Sequence, residues 1–291
     1  MRTSPAWLLV ISSLLAACGP DSTLDPAAGR TEQAFSTAPQ EPNHEQVTAS
    51  GLSFLRPELI TALQAANVST DIELALVSAN HFDDCNFSGG SQVLIDSEAE
   101  AVAAVDPAVP ALVSDPQAIR AFGHALHAAQ DFYAHSNWVE LGAPGLVDAS
   151  LSVWPMLSGY SVVGPSGIFI IEGAPPKKTK LTRDATAPYP DSAIVAVKTK
   201  DVKSGVGLIS GTVDYEPGDN CPASIAMTHA QLNKDQTTNH PAQHAQAMTL
   251  ATQQTQHEWC RLRALVQSAW GDAGTQRLAS WLADPAVTGC P

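Results

Sequence analysis

The chain has 291 residues, with 15 Lys and Arg against 29 Asp and Glu, and a formal net charge of −14. That negative excess excludes a broad phosphate-backbone footprint, and with it duplex-nucleic-acid binding as the default role. It leaves room for a site whose local positive charge comes from metal ions.

At the N-terminus, Arg2 precedes an apolar run, Ala6 to Leu15, of signal-peptide length and too short to span a bilayer. The run ends in Leu15-Ala16-Ala17-Cys18, which resembles the bacterial lipobox. The resemblance implies a signal peptide over residues 1–18, lipidation of Cys18, and an exported lipoprotein anchored in a membrane. Gly19 is not the Asp of an inner-membrane retention signal, so the outer membrane or cell surface is the expected location. Residues 19–43 are rich in Pro, Ala, Thr, Glu and Gln and read as a flexible tether. Residues 44–291 are expected to form a single domain, and a monomer.

Four further cysteines, Cys85, Cys221, Cys260 and Cys290, make an even number in an exported chain. They imply two disulfides. Three pairings are open, of which Cys85–Cys221 with Cys260–Cys290 is the expected one. No CxxC pair is present, so a cysteine-based zinc site is not expected.

Residues 44–66 have helical spacing, with Pro57 opening a second helix. Ser69, Thr70 or Asp71 is placed to cap a helix over Ile72 to Ala79. A polar loop is predicted over 81–92 and a short acidic helix over Ser97 to Val105. Asp115 and Pro116 have the residue types of an N-cap and a first helical position, opening a long helix to about Trp138. Residues 141–222 read as a β-rich or irregular insertion, with β-type runs at 160–163, 168–171, 193–198 and 206–213. Helical spacing returns over 223–236, in a long helix from Pro241 to Ala269, and in a last one from Gly274 to Ala283.

His127, Asp131 and His135 stand at i, i+4 and i+8 within HALHAAQDFYAHSNWVE. Each step of four turns a helix by only about 40°, so the three side chains form one stripe. Imidazoles with a carboxylate on a rigid backbone suit zinc. His124 lies one turn back on nearly the same face. His240, His244 and His257 are expected not to be ligands. Asp83 and Asp84 are expected to face solvent or to orient a ligand from behind.

The longer segment GHALHAAQDFYAHSNWVEL resembles the signature of the Het-C-like proteins, in the larger group of zinc-dependent phospholipases C and S1/P1 nucleases. Those phospholipases and nucleases carry five residues in the second His–Asp–His gap. Here there are three, as in the Het-C-like branch. HEQVT resembles the family's early histidine, which implies His44 as a ligand. NVSTDIELALVSANHFDDC implies Asp71 and His81, and MTHAQLNKD implies His229 and Asp235. The resemblance covers roughly 44–140 and 223–260.

What it implies is a mainly α, zinc-dependent phospholipase C/P1 nuclease-like fold with two or three Zn2+ ions. One ion would take Asp71, His81, His127 and Asp131. Asp131 would bridge to a second held by His44. A third would take His135, His229 and Asp235. The implied activity is phosphate-ester hydrolysis on a phospholipid or other phosphodiester, with Asp71 as base. A single-strand nuclease and a non-catalytic, zinc-stabilised interaction protein are the alternatives. The family's amino-terminal zinc ligand has no counterpart near His44, which lies some 25 residues beyond Cys18.

Overall fold

The computed structural model describes residues 43–74, 77–140, 145–148, 150–151, 154, 208–212, 227–235, 237 and 241–290. Cys18, the tether up to residue 42, Cys221, His240, the runs at 160–163, 168–171 and 193–198, and most of the expected insertion lie outside them. The elements are α1 (His44–Gly51), α2 (Pro57–Glu73), a 3₁₀ turn (Ser78–His81), α3 (Phe87–Ala104), α4 (Ala111–His135), β1 (Gly211–Thr212), β2 (Met227–Thr228), α5 (His229–Leu232) and α6 (Pro241–Ala279). The protein is mainly helical. Its two short strands pair in parallel, Gly211 with Met227 and Thr212 with Thr228. No helix among the described residues is long and apolar enough to cross a membrane.

The C-terminal half of α4 is the axis of the domain. Phe122, Ala125, Leu126, Ala128, Ala129, Phe132, Tyr133 and Ala134 are all buried, so this half of α4 is enclosed by its neighbours, while Pro116, Gln117 and Arg120 in the first half are exposed. Helices α1, α2, α3 and α6 pack around it. Its small residues let neighbouring backbones come close. A Cβ on Gly123 would lie 2.5 Å from the Ala66 side chain and 3.0 Å from the Ala66–Asn67 backbone. Gly123→Ala is therefore expected to force α2 and α4 apart and cost about 1–3 kcal/mol, as overpacked cores do. Urea melts of the two proteins measure this, and an unchanged midpoint would contradict the packing described.

Several helix boundaries differ from those predicted. Helix α2 runs unbroken through Glu73, so Asp71 lies in its last turn and does not cap a following helix. Helix α3 begins at Phe87, inside the predicted polar loop, because Asn86 caps it by accepting from Gly89 N–H. Helix α4 starts at Ala111, leaving Pro116 inside it. Asp115 serves instead as an ion-pair partner of Arg277, at 3.0 Å. The helix ends at His135, where Ser136 turns to extended backbone. Residues 227–232 supply a strand and one helical turn. The two predicted C-terminal helices are joined across a kink at Gly271, φ 60°.

Cys260 and Cys290 form a disulfide that ties the C-terminus to α6. Cys85 is disulfide-bonded too; its expected partner, Cys221, is outside the described residues.

A buried charge network fastens α3 to α6. Arg261 Nε donates to Glu98 at 2.9 Å and to Glu258 at 3.0 Å, and its Nη1 reaches Asp148 at 3.3 Å. Trp154 Nε1 donates to Glu258 at 2.7 Å. Burial pushes Glu258 up to about 7 and Arg261 down to about 9.

Candidate metal centre

Five structural pieces converge on the inner face of α4. Asn43 caps α1 by accepting from Gln46 N–H at 3.1 Å, and so fixes His44 at the first helical position. The end of α2 supplies Asp71. The 3₁₀ turn supplies His81, α4 the stripe, and α5 and the loop after it His229 and Asp235.

The turn between His81 and Asn86 is unusual. Phe82, Asp84 and Cys85 have φ of 54°, 56° and 53°, a left-handed region that costs non-glycine residues about 1–3 kcal/mol each. Burial of Phe82 against Phe132 and Trp154 contributes about 1.5–3 kcal/mol, which offsets the cost at Phe82 itself. Backbone bonds complete the clamp, with Asp83 N–H on Ser78 O at 2.9 Å and Asp84 N–H on Gly211 O at 2.8 Å. This turn sends His81 to one side of the cluster and Asp83 to the other.

Opposite it, β1 lies hard against α5. A Cβ on Gly211 would sit 2.4 Å from His229 Cα, so only glycine lets His229 reach the cluster. Lys234 anchors the following loop. Its N–H donates to Ala134 O at 3.0 Å and its Nζ to Ser136 O at 2.8 Å, using carbonyls at the end of α4. Its Nζ also meets Glu140 at 2.9 Å.

All eight residues singled out from the sequence come together. Asp131 is central. Its Oδ2 lies 2.9 Å from both His81 Nδ1 and His127 Nε2, and its Oδ1 lies 3.2 Å from His44 Nε2 and 3.8 Å from His135 Nε2. Asp71 approaches His127 at 3.6 Å and His44 and His81 at 3.9 Å. On the far side, Asp235 is 3.2 Å from His135 Nε2 and 3.5 Å from His229 Nε2. His124 is half-buried and outside this set. His244 donates Nδ1–H to Lys234 O at 2.6 Å and also stands apart.

Two buried groups have the geometry to hold a metal ion: His44, Asp71, His127 and Asp131, and Asp83, His135 and His229, each with ligand atoms within 4.8 Å of one another. His81 presents Nδ1 to the same two carboxylates as the first group. In the second group the hydrogen bonds sort the acids into two roles. His229 Nδ1 is bonded to Asp83 at 3.1 Å, which turns Nε2 towards Asp235. Asp83 thus stands behind the ring and Asp235 in front of it. Both Asp235 oxygens, His135 Nε2 and His229 Nε2 are buried without a hydrogen-bond partner, as are both oxygens of Asp71.

The outward nitrogens show the same order. His44 Nδ1 meets Gln130 Oε1 at 2.7 Å, His127 Nδ1 meets Asn67 Oδ1 at 3.1 Å, and His135 Nδ1 meets His81 O at 2.9 Å. His81 Nε2 meets Leu74 O at 3.3 Å. Each partner is an acceptor, so each outer nitrogen is an N–H and the inner one is the atom that can exchange a proton for a cation. That is the arrangement of metal-binding histidines, oriented from behind. Asn67 and Gln130 carry it and were not apparent from the sequence.

Electrostatics agree. Among the described residues no Lys or Arg pairs with Asp71, Asp83, Asp131 or Asp235. The rings supply the balancing charge. Burial opposes a charged His44, but Asp131 and Asp71 outweigh it and raise His44 to about 9. His229 is likewise raised to about 9, burial being outweighed by Asp83. Burial dominates at His127, lowering it to about 3. Burial raises Asp71 to about 7, with His44 opposing. For Asp131 and Asp235, burial is overcome by the surrounding histidines, which hold both well below the usual carboxylate range. A buried cluster with four acids and protonated rings is one in which protons occupy the place of cations.

Residues 34–152 match the VWA7 N-terminal domain family. The matched stretch carries His44, Asn67, Asp71, His81, Asp83, His127, Gln130, Asp131 and His135; His229 and Asp235 lie beyond it. No curated protein and no solved structure matches the chain.

Proposed function

We propose that the protein is a zinc-dependent hydrolase of phosphate esters, most like a phospholipase C, on a helical fold of the phospholipase C/P1 nuclease type. The observation that carries this reading is the set of inward-facing ring nitrogens of His44, His81, His127, His135 and His229 around Asp71, Asp131 and Asp235. Nitrogen and carboxylate donors in this number suit Zn2+. His44, Asp71, His81, His127 and Asp131 would hold one ion, and His135, His229 and Asp235 another. When bound, zinc lowers the pKa of water and neutralises phosphoryl oxygens.

The chain's own residues divide the remaining work. Asp71 is the most exposed carboxylate of the cluster, at 7 %, and its oxygens have no hydrogen-bond partner, which suits it to take a proton. Asn67, Gln130 and Asp83 hold the rings in register. A lipid anchor at Cys18 would keep the site beside a membrane and its phospholipids. Purified protein assayed on phosphatidylcholine and on single-stranded DNA, each with and without chelator, tests the reading. Chelator-sensitive cleavage of the lipid is expected, cleavage of DNA alone would transfer the site to a nuclease, and no turnover of either would reject both.

Deep burial favours a second reading. His229 is only 6 % exposed, and closed zinc sites are structural. A non-catalytic, zinc-stabilised interaction protein would keep its metal and cleave neither substrate.

Both readings share a pH dependence. Zinc must displace protons from His44 and His229, both held at about 9, so proton release on zinc addition at pH 7 is expected. Their raised values stabilise the metal-free fold fully below the unfolded value of 6.5, and that contribution is lost as pH rises through about 9. The melting-temperature gap between zinc-loaded and metal-free protein is therefore expected to widen across that window. A constant gap would contradict proton–metal competition at these rings.

A further inference from the structure

Behind the first group of rings lies a buried polar network drawn from four helices. Thr48 of α1, Asn67 of α2, Gln130 of α4 and Thr255 of α6 are all inaccessible to solvent. Thr255 has one proton and donates it to Ala251 O at 2.8 Å. Its oxygen is thereby left to accept from Gln130 Nε2, at 2.9 Å. Thr48 Oγ1 receives the same amide nitrogen at 3.1 Å. With its NH2 committed there, Gln130 turns Oε1 to His44 Nδ1 at 2.7 Å and to Asn67 Nδ2 at 3.1 Å. Asn67, donating with its nitrogen, turns Oδ1 to His127 Nδ1 at 3.1 Å.

Every orientation in this chain follows from the one before it. An amide has distinct donor and acceptor ends, and a neutral imidazole has one N–H. A backbone carbonyl on α6 thus fixes a hydroxyl, the hydroxyl fixes Gln130, and Gln130 fixes Asn67. The outcome is an Nδ1–H on both His44 and His127, leaving each Nε2 to face Asp131, at 3.2 and 2.9 Å.

We infer that Thr255, Gln130 and Asn67 form a polarity relay that sets the tautomers of His44 and His127. Thr255 and Gln130 are then positioning residues for the cation held by those rings. The inference rests on the zinc reading of the site only for the metal-affinity part of its test.

The whole protein is compared with its Thr255→Val, Gln130→Leu and Gln130→Glu variants, with Zn2+ alone as the probe in chelator-competition titrations. Residues orienting metal-bound histidines typically change affinity about 10- to 100-fold. Gln130→Leu is expected to weaken one zinc equivalent by that range, and Thr255→Val by about 10-fold. The equivalent held by His135 and His229 should be unchanged. Gln130→Glu retains an acceptor for His44 and is expected to bind close to the parent, despite burying a charge. A purely packing role predicts the reverse order, with Leu tolerated and Glu not.

A second readout needs no metal. Long-range 1H–15N spectra of metal-free parent protein at alkaline pH should show Nδ1–H on both rings, and Thr255→Val should show mixed tautomers. Nε2–H rings in the parent, or unchanged affinity in both Thr255→Val and Gln130→Leu, would overturn the relay. If the parent binds no zinc, the site reading fails while the spectra still decide the relay. If Gln130→Leu does not fold, the nearly isosteric Thr255→Val carries the test.

Discussion

Asp131→Ala is expected to empty the first candidate cation site and remove the stabilisation that zinc bound there would give the fold. This carboxylate touches His44, His81, His127 and His135, all within 3.8 Å, and joins the two groups. Removing it leaves those rings with only Asp71 in the first group. A cation present at about a thousand times its dissociation constant stabilises a fold by about 4 kcal/mol, and that amount disappears with the site. Melting temperatures of parent and variant, each with and without zinc, isolate the effect. The zinc-dependent rise should be large in the parent and small in the variant. An equal rise in both would remove Asp131 from the centre of the site.

The second large effect lies away from the candidate metal centre. Arg261→Met is expected to destabilise the protein by about 3–5 kcal/mol, because it leaves Glu98, Asp148 and Glu258 buried without their cation. For a chain of this size that lowers the melting temperature by about 10 °C. The sign of the pH dependence follows from burial. Glu258 is already raised to about 7 with the arginine in place. A carboxyl raised on folding gives its stability at low pH and loses it as pH rises through the folded value. Without the arginine Glu258 is raised further, so the variant goes on losing stability where the parent has stopped, and its deficit should grow as pH rises above about 7. A deficit independent of pH would point to lost packing alone.

The sequence carried the site further than the fold boundaries. The i, i+4, i+8 rhythm makes His127, Asp131 and His135 one stripe without reference to anything distant. His44, Asp71, His81, His229 and Asp235 came from resemblance, since nothing local distinguishes a ligand from a polar helix end. Gln130 stands next to Asp131, but nothing local shows that its amide faces His44 rather than solvent. Asn67 had no local signal, because its role depends on α2 lying against α4 at Gly123. Asp83 reads as a loop acid until the left-handed Phe82 turns it inward. The boundary differences share one cause. Asp115 and Pro116 have the residue types of a helix start, yet Asp115 is drawn to Arg277, a partner 162 residues away. Capping preferences are local, and tertiary partners outweigh them.

Zinc stoichiometry tests the central claim most directly. The whole protein, stripped and then titrated with Zn2+, is compared with its His127→Ala and His229→Ala variants. Two equivalents are predicted for the parent, with the first variant losing the His44–Asp71–His127–Asp131 equivalent and the second losing the His135–His229–Asp235 equivalent. A parent that binds no zinc, or two variants that bind as much as the parent, would contradict a metal centre at this cluster.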